Sequence, residues 1–409
     1  MGCHVRRTAE RADEVFLRHG AAAGRSSPQP VQSAAASCTG PHASRACSGS
    51  TPGKPIADHE DIRETMSPER SFAPDLVCPH HGQALSRDDH GRLPDLVCPM
   101  GCRFSMVNGV WRFVPSSGYA VSFGFQWNSF RRTQLDSFTG VTISRDRLTR
   151  LMGGSLERLA GKNILEAGCG AGRFTEVMLE AGANVFAVDL SSAVEANYAN
   201  CKHYTNYYVC QADILNIPVP REQFDTVVCI GVVQHTPDPE ETISALCSHV
   251  KPGGLLVLDH YTHGYAVTPT RRLLRKLLLK VSPRTALLFC EAMTRVMWPI
   301  HRLLWRLRHH RLVGRLRTIF LQISPLVDYH EAYPQLGGTL LRAWAHLDTH
   351  DTLTDRFKHL RSAEEIAASL AVCGMTHIHT AYAGNGVEAR ARKPQRATPG
   401  EASSPDACN

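Results

Sequence analysis

Three closely spaced glycines supply the first residues in this chain that could do chemistry. Gly168, Gly170 and Gly172 follow a short apolar run, and an apolar pattern with helical spacing comes next. A strand that runs through a glycine turn into a helix presents backbone N–H groups and the positive end of the helix dipole to a ligand. Because glycine has no side chain, the ligand can lie directly on the backbone. This stretch therefore predicts a nucleotide-binding turn.

The spacing of the glycines excludes two common nucleotide-binding motifs. A dinucleotide fingerprint needs a glycine where Arg173 stands, and a P-loop needs a Gly-Lys-Ser/Thr ending that is missing. What is present is Glu166-x-Gly-x-Gly-x-Gly, followed by two predicted strands that end in Asp189 and Asp213. An acid about 20 residues beyond the glycine turn suits a ribose, whose hydroxyls otherwise stay unpaired in a pocket.

Five predicted strands alternate with helices from residue 163 onward, which indicates an α/β fold with a parallel sheet. In chain order they are residues 163–167, 184–189, 207–213, 224–231 and 255–260. Lys251-Pro-Gly-Gly254 is predicted to be a tight turn before the fifth strand. A capping box, Ser362-Ala-Glu-Glu365, opens a later helix. Residues 375–382 and 386–392 are predicted to be paired strands.

Together, these cues resemble the class I S-adenosylmethionine-dependent methyltransferases over about residues 120–393. The resemblance implies a Rossmann-like sheet of seven strands with helices on both faces and S-adenosyl-L-methionine as cofactor. It implies contacts to the methionine moiety from Glu166, Gly168 and Gly170 with Arg173 nearby, to ribose from Asp189, and to adenine from Asp213 and Ile214. The other predicted cofactor-binding residues are Cys169, Gly172, Leu190 and Gly231.

Whether such a site needs a catalytic base depends on the acceptor. Methyl transfer depends mainly on positioning, and a base is needed only when the acceptor atom carries a proton that must leave. His235 follows the fourth strand and is the candidate base; the alternative is a histidine that stabilises the loop or lines the pocket. Weaker candidates are Tyr261, His260, His263 and the pair His350-Asp351.

The segment before the first core strand carries aromatic residues at intervals of three to four, which is typical of an amphipathic helix packed on the core. The functional alternative is a lid over the cofactor pocket in which Tyr119, Gln126 and Trp127 face inward. The two interpretations are compatible. Tyr261, after the fifth strand, is the further predicted substrate contact.

A short duplication in residues 74–115 predicts a metal site. Pro-Asp-Leu-Val-Cys-Pro occurs twice, and each copy is followed by another possible ligand, so that the set is Cys78, His81, Cys98 and Cys102. Two such knuckles separated by 16 residues are the sequence form of a zinc ribbon, whose ion needs four nitrogen or sulfur ligands. A hairpin around Asn108-Gly109 follows. The alternative is a degenerate ribbon without metal; in either case the unit is structural.

One segment makes the protein basic. Residues 271–317 hold 13 Lys/Arg and one acid, a balance of +12, so the remainder of the +7 chain sums to 7 − 12 = −5. The segment is helical by composition, with predicted breaks near Pro283 and Pro299. It is either a solvated helical cap, or a surface attracted to anionic lipid headgroups or to a phosphate-bearing substrate or carrier.

These features divide the chain into six predicted parts. Residues 1–70 are a disordered extension, 71–115 a zinc-ribbon-like β unit, 116–265 a lid helix and cofactor-binding core, 266–345 a basic helical insertion, 346–393 the end of the core, and 394–409 a disordered tail. The scattered cysteines indicate reduced thiols and a cytoplasmic protein.

The predicted function is methyl transfer to an O, N or C atom of a small or amphipathic metabolite. One alternative is an RNA methyltransferase that uses the ribbon and the basic segment, although the loop Gly231-Val-Val-Gln-His-Thr-Pro-Asp238 resembles small-molecule enzymes and makes nucleic acid an unlikely partner. The other alternative is a non-catalytic binding partner that keeps the cofactor fold.

Overall fold

A computed structural model describes residues 72–89, 94–115, 117–265 and 267–396. The predicted disordered segment 1–70 lies outside the described residues, and so does the predicted tail from residue 397 onward. The domain bounds expected from the sequence stay predictions.

Eleven strands form the sheet of the described region. They are β1 (Ser86–Asp88), β2 (Asp95–Val97), β3 (Arg103–Val107), β4 (Val110–Arg112), β5 (Asn163–Ala167), β6 (Asn184–Asp189), β7 (Tyr207–Gln211), β8 (Phe224–Cys229), β9 (Val250–Tyr261), β10 (Thr376–Ala383) and β11 (Gly386–Arg392). The spatial order is β1-β2-β3-β4-β7-β6-β5-β8-β9-β11-β10.

Strands β5 to β9 pair in parallel, and β11 and β10 close that end of the sheet as an antiparallel edge. Strand β5 is almost wholly buried, as expected for a parallel strand with both faces covered. The predicted α/β class is therefore confirmed, although the described sheet has eleven strands and not the seven expected.

The α-helices of the described region lie on and above this sheet. They are α1 (Val121–Ser129), α2 (Asp136–Thr139), α3 (Ile143–Met152), α4 (Arg173–Glu180), α5 (Ala193–Cys201), α6 (Pro239–His249), α7 (Pro269–Leu278), α8 (Pro283–Arg306), α9 (Arg311–Ile323), α10 (Gly337–Thr354) and α11 (Ala363–Val372). The predicted capping box is present at the start of α11, between Ser362 and Glu365.

The leader differs from the predicted separate β unit, because it extends the main sheet. Strands β3 and β4 form the expected hairpin, with positive φ angles at Asn108 and Gly109. Strand β4 then pairs in parallel with β7, opposite Cys210 and Gln211. Apolar residues of the leader and of the core sheet pack in one cluster. The leader side chains in this cluster are therefore removed from water only when the leader packs on the core sheet.

Two local predictions were wrong. Residues 251–254 are not a turn before the strand but lie inside β9, where the pairing with β8 jumps from Val250 to Leu255 and the intervening residues bulge. The second concerns Pro299, which does not break the helix: α8 continues past it to Arg306. Pro299 is exposed, so water can satisfy the carbonyl that loses its hydrogen-bond donor.

Helices α7, α8 and α9 form the cap, and α10 packs against α7 and α8. Pro283 is the first residue of α8, a position that tolerates proline because its N–H would have no partner there. Among the described residues, no helix is both long enough and apolar enough to cross a lipid bilayer.

Candidate functional site

The glycine turn lies at the carboxyl end of β5, as the sequence predicted, and leads directly into α4. Gly168 has a φ of 79°, and a Cβ there would lie 2.3 Å from Val232. A Cβ at Gly170 would lie 3.3 Å from the indole nitrogen of Trp127. A side chain at Gly168 would therefore require Val232 to move, whereas one at Gly170 would press on Trp127. Trp127, a predicted lid residue, lies directly over the turn.

Asp189 ties the second core strand to the glycine turn. One carboxylate oxygen accepts from the Gly170 N–H at 2.9 Å, and the other accepts from the N–H and the hydroxyl of Ser191 at 2.8 and 2.6 Å. Burial raises the pKa of Asp189, and the hydrogen bonds from Ser191 and Gly170 oppose that rise. The next residue, Leu190, uses its carbonyl to accept from Gln211 at 2.8 Å.

Asp213 stands after β7 at the same edge of the sheet, where it accepts from the Leu215 N–H at 3.0 Å. Ile214 beside it is buried. Burial, followed by the charges of Asp213 and Asp189, raises the pKa of Tyr119. The charges of Asp213 and Asp189 thus act on Tyr119, and its place as a lid over the pocket stays a prediction.

Glu166 lies behind the turn and not on its open side. Its side chain is buried and accepts from the Thr175 hydroxyl, which in turn accepts from Asn197 at 3.0 Å. Burial raises the pKa of Glu166 to about 8. In this structure Glu166 holds the start of α4, and its contact with the methionine moiety stays a prediction. Cys169 is buried in the same turn, and burial raises the pKa of its thiol.

Arg173 reaches away from the turn toward the segment before the first core strand. It donates from Nε to the Ser144 hydroxyl at 2.8 Å and from Nη1 to Gln134 at 3.1 Å. Its Nη2 is buried without a partner in the described region. Burial and then the neighbouring Arg147 lower the pKa of Arg173 to about 10.

His235 lies in the loop after β8, on top of the sheet edge. Its Nδ1 donates to the Phe357 carbonyl at 3.1 Å and lies 3.4 Å from the Asp355 carboxylate. Because a carbonyl only accepts, Nδ1 carries the proton and Nε2 is the basic nitrogen. Burial lowers the pKa of His235, and Asp355 partly offsets this. The imidazole is therefore neutral near pH 7, as a base requires.

Helix α1 links the cofactor turn to His235. Phe123 packs on the His235 ring with 5.2 Å between centroids, and Trp127, four residues later, lies over Gly170. Residues four apart share one face of a helix. Tyr261 contacts His235 edge to face at 5.3 Å. The predicted lid, the predicted substrate contact and the candidate base thus converge at one place.

The other candidates divide between this place and elsewhere. The His350 Nδ1 lies 2.6 Å from the oxygen of Gln126, so His350 supports the lid, and burial lowers its pKa to about 4. Burial raises the pKa of Asp351 to about 7. His260 is buried within β9, with its pKa lowered to about 4. His263 pairs with Glu365 at the surface, 3.2 Å away, and is not part of the site.

Sequence reasoning missed two buried acids of the site. Asp259 accepts from the Gly231 N–H at 2.5 Å and from Arg147, and so fixes the loop after β8. Its position near the end of a strand, like Asp189, was an available signal. Asp355 has no comparable signal in the sequence, because it follows helix α10 and not a strand of the core. Its carboxylate pairs with Arg275 at 2.7 Å.

The four predicted metal ligands converge in the leader. The sulfurs of Cys78, Cys98 and Cys102 each lie 3.6 Å from Nδ1 of His81. With Zn–S bonds of about 2.3 Å and Zn–N bonds of about 2.0–2.1 Å, a tetrahedral ion holds sulfur and nitrogen about 3.6 Å apart. Within the described region, Cys78, His81 and Cys102 also form a group whose ligand atoms lie within 4.8 Å of one another. The donor set fits zinc.

The comparisons with known proteins agree with the geometry of the core. Residues 165–258 match the family described as "Methyltransferase domain". The chain is 36% identical over 101 residues to ubiquinone biosynthesis O-methyltransferase of Coxiella burnetii (strain RSA 493), covering 24% of this chain and 43% of that protein. For the protein of the same name from Pseudomonas fluorescens (strain SBW25), identity is 37% over 100 residues with the same coverage. The chain spans less than half the length of these relatives.

The solved structures matched by this chain share little sequence with it and have low TM-scores. Magnesium protoporphyrin IX methyltransferase from Synechocystis PCC 6803, with bound SAH, is 16% identical with a TM-score of 0.31, covering 66% of this chain and 84% of that one. The complex of the Haloferax volcanii Trm112 methyltransferase activator with a putative methyltransferase matches at 12% sequence identity with a TM-score of 0.35. The match covers 64% of this chain and 97% of that one.

Proposed function

We propose that the protein transfers a methyl group from S-adenosyl-L-methionine to an O, N or C atom of a small or amphipathic metabolite, because residues 165–258 match the family described as "Methyltransferase domain". The observation that carries this proposal is the juxtaposition of the glycine turn with Asp189 and Asp213 under Tyr119 and Trp127. A nucleoside needs an open backbone turn, a hydroxyl acceptor and an aromatic cover, and these residues offer all three.

The residues fit the cofactor. Val232 and Trp127 lie close to Gly168 and Gly170, so these two side chains would border the cofactor on the glycine turn. Asp189 would hold the ribose and Asp213 the adenine. The methionine moiety would lie along the glycine turn. When bound, the cofactor supplies a methyl group on a sulfonium whose departure leaves a neutral thioether.

His235 is proposed as the group that takes the proton of the acceptor. Its protonated Nδ1 is fixed by the Phe357 carbonyl, so Nε2 can receive a proton. Asp355, 3.4 Å from Nδ1, stabilises the cation that forms. Arg275 and Lys358 form ion pairs with Asp355 at 2.7 and 2.9 Å, which fix the position of that carboxylate beside His235.

The acceptor would lie between the sheet edge and α10. Two buried aspartates of α10, Asp348 and Asp351, would line that space; their pKa values are raised to about 7, chiefly by burial. The name of the curated relatives, ubiquinone biosynthesis O-methyltransferase, makes an oxygen acceptor the first class to assay. The family match ends at Leu258, before the cap, so it carries no information on the acceptor.

We also propose that the leader binds a structural zinc ion through Cys78, His81, Cys98 and Cys102. The equal distances of 3.6 Å from the three sulfurs to His81 support it, as does the Met100 N–H, which points at the Cys98 sulfur from 3.4 Å. The ion would hold the two turns that dock on the core sheet. The described cysteines are free, which supports the proposed cytoplasmic location.

The proposed activity is tested with labelled cofactor. Purified protein is incubated with methyl-labelled S-adenosylmethionine and a metabolite extract, and the label is traced by mass spectrometry. Transfer to a metabolite that is absent with Asp189→Ala supports the proposal. Binding of the cofactor with no transfer to metabolites or RNA would leave a non-catalytic partner, and transfer to RNA would replace the metabolite as acceptor.

A further inference from the structure

Helix α9 exposes an apolar face. Leu312, Leu316, Ile319 and Ile323 are each more than 50% exposed, and none of the residues of this helix is buried. Their spacing of four, three and four places them on one side of the helix. Monomeric proteins rarely expose a continuous apolar face of this kind to solvent, and such faces mark sites of interaction with a protein, a membrane or a ligand.

Helix α8 repeats the pattern with the same spacing. Val296, Ile300 and Leu303 of this helix, and Leu307 directly after its last residue, are each 40% exposed or more. Leu273 and Leu277, four residues apart on α7, are exposed in the same way. Helix α9 packs against both α7 and α8, so the three stripes belong to one cap. We call these ten side chains the apolar stripes.

A cation precedes most members of the apolar stripes. The exposed pairs are Arg272-Leu273, Lys276-Leu277, Arg295-Val296, Arg302-Leu303, Arg306-Leu307, Arg311-Leu312 and Arg315-Leu316. Adjacent residues of a helix differ by about 100° around its axis, so the cations line one flank of each stripe. In such a position, the aliphatic part of a Lys or Arg side chain can lie along an apolar surface while its charged end stays in water.

Most of these charges are not used by the fold. In the described region, ion pairs hold Arg275 to Asp355, Arg295 to Glu291 and Arg317 to Asp328. Eight further exposed cations of the cap have no acidic partner there: Arg272, Lys276, Lys280, Arg284, Arg302, Arg306, Arg311 and Arg315. Both the charge and the apolar surface are therefore available to a ligand.

We propose that the cap is a docking surface for an anionic lipid membrane. The apolar stripes enter the boundary between headgroups and acyl chains, and the flanking cations pair with lipid phosphates. A second copy of this chain would bring two such cationic surfaces together, which like-charge repulsion opposes. A nucleic acid would satisfy the cations but would leave ten aliphatic side chains in water.

The surface is connected to the candidate site. Arg275 of α7 pairs with Asp355, which lies 3.4 Å from His235. Helix α10, which carries Asp348 and Asp351, packs against α7 and α8. Docking would therefore place the proposed acceptor pocket close to the lipid surface, where an amphipathic acceptor would be found. This last step rests on the proposed function, whereas the docking surface itself does not.

Vesicle flotation of the full chain tests the proposal. The probes are vesicles of phosphatidylcholine with about 30% phosphatidylglycerol and vesicles of phosphatidylcholine alone, a contrast in surface charge. We expect binding to the anionic vesicles that weakens as salt is raised. Each cation near such a surface contributes about fivefold in affinity, so Arg311→Gln with Arg315→Gln should weaken binding by about thirtyfold. Leu312→Ser with Leu316→Ser should weaken it as well.

The matched control places the same changes outside the cap. Lys162→Gln with Arg221→Gln removes two exposed cations, and Val372→Ser removes an apolar side chain that is 88% exposed. These controls should bind as the unaltered protein does. Because α9 buries none of its residues, its variants should keep their circular dichroism and their affinity for S-adenosylmethionine.

Four results would overturn the proposal. The first is a protein that ignores anionic vesicles at low salt. The second is equal loss of binding in the cap variants and in the controls. The third is a dimer seen by analytical ultracentrifugation that Leu312→Ser with Leu316→Ser dissociates while vesicle binding is absent. If heparin is bound as tightly as the vesicles and the serine variants bind both normally, the surface recognises polyanions and not lipid.

Discussion

Replacing Asp189 by alanine tests the cofactor side of the site most specifically. The carboxylate accepts three hydrogen bonds, one from Gly170 and two from Ser191. Two ionised oxygens offer about four lone-pair positions, so one position remains for a ribose hydroxyl. A hydrogen bond to a charged group contributes about 1.5–3 kcal/mol. The expected loss in affinity for S-adenosylmethionine is therefore about tenfold to about a hundredfold.

Isothermal titration calorimetry with S-adenosylmethionine and with its demethylated product measures this loss. Both ligands share the ribose, so both affinities should fall together. Ser191→Ala is the matched control, because it removes one donor to the carboxylate at 2.6 Å and leaves the carboxylate itself. We expect this control to bind within a few-fold of the unaltered protein. Unchanged affinity of the Asp189→Ala protein would refute the assignment.

Three further predictions follow from the structure. Burial raises the pKa of Glu166 from its ordinary value of 4.5 to about 8, so between these two pH values the folded protein keeps a proton that the unfolded chain releases. The free energy of unfolding measured in urea should therefore fall by a few kcal/mol as the pH rises from 4.5 to about 8. Glu166→Gln should flatten that pH dependence. His235→Ala should lower kcat about 10²- to 10⁴-fold with little change in KM. Because the pKa of His235 is lowered, the unaltered enzyme should remain active at pH values below the ordinary imidazole pKa of about 6.5. Cys98→Ser should lose zinc in elemental analysis and lower Tm, because the proposed ion would join the two leader turns.

Each of these predictions has an opposite outcome that can be observed. A Glu166→Gln protein whose stability depends on pH as steeply as before would show that another group titrates. An unchanged turnover rate of His235→Ala at saturating acceptor would remove it as the base and direct attention to Asp351. Purified protein without zinc, together with a Cys98→Ser variant of unchanged Tm, would leave the leader held by its apolar packing alone.

The features that the sequence predicted well are those encoded within a few residues. The glycine turn, the acids after β6 and β7 and the capping box at Ser362 each depend on backbone chemistry that neighbouring residues determine. The hairpin at Asn108-Gly109 belongs to the same class, because its turn requires positive φ angles that these residues adopt readily.

The features that it missed depend on contacts between distant parts of the chain. Strand β4 joins the sheet by pairing with β7, about a hundred residues later, and a three-residue strand has no local sign of its partner. Asp355 reaches His235 only because α10 returns over the sheet edge. Pro299 stays inside α8 because buried neighbours such as Trp298 and His301 fix the helix on both sides, which outweighs the local preference for a break.

The account depends above all on whether the purified protein binds S-adenosylmethionine. Calorimetry of the full chain with this ligand and with its demethylated product answers the question without knowledge of the acceptor. We predict one site per chain with saturable heat for both ligands, and a loss of affinity for both in the Asp189→Ala protein. No detectable heat for either ligand at millimolar concentration, from protein whose circular dichroism shows a folded α/β chain, would contradict it.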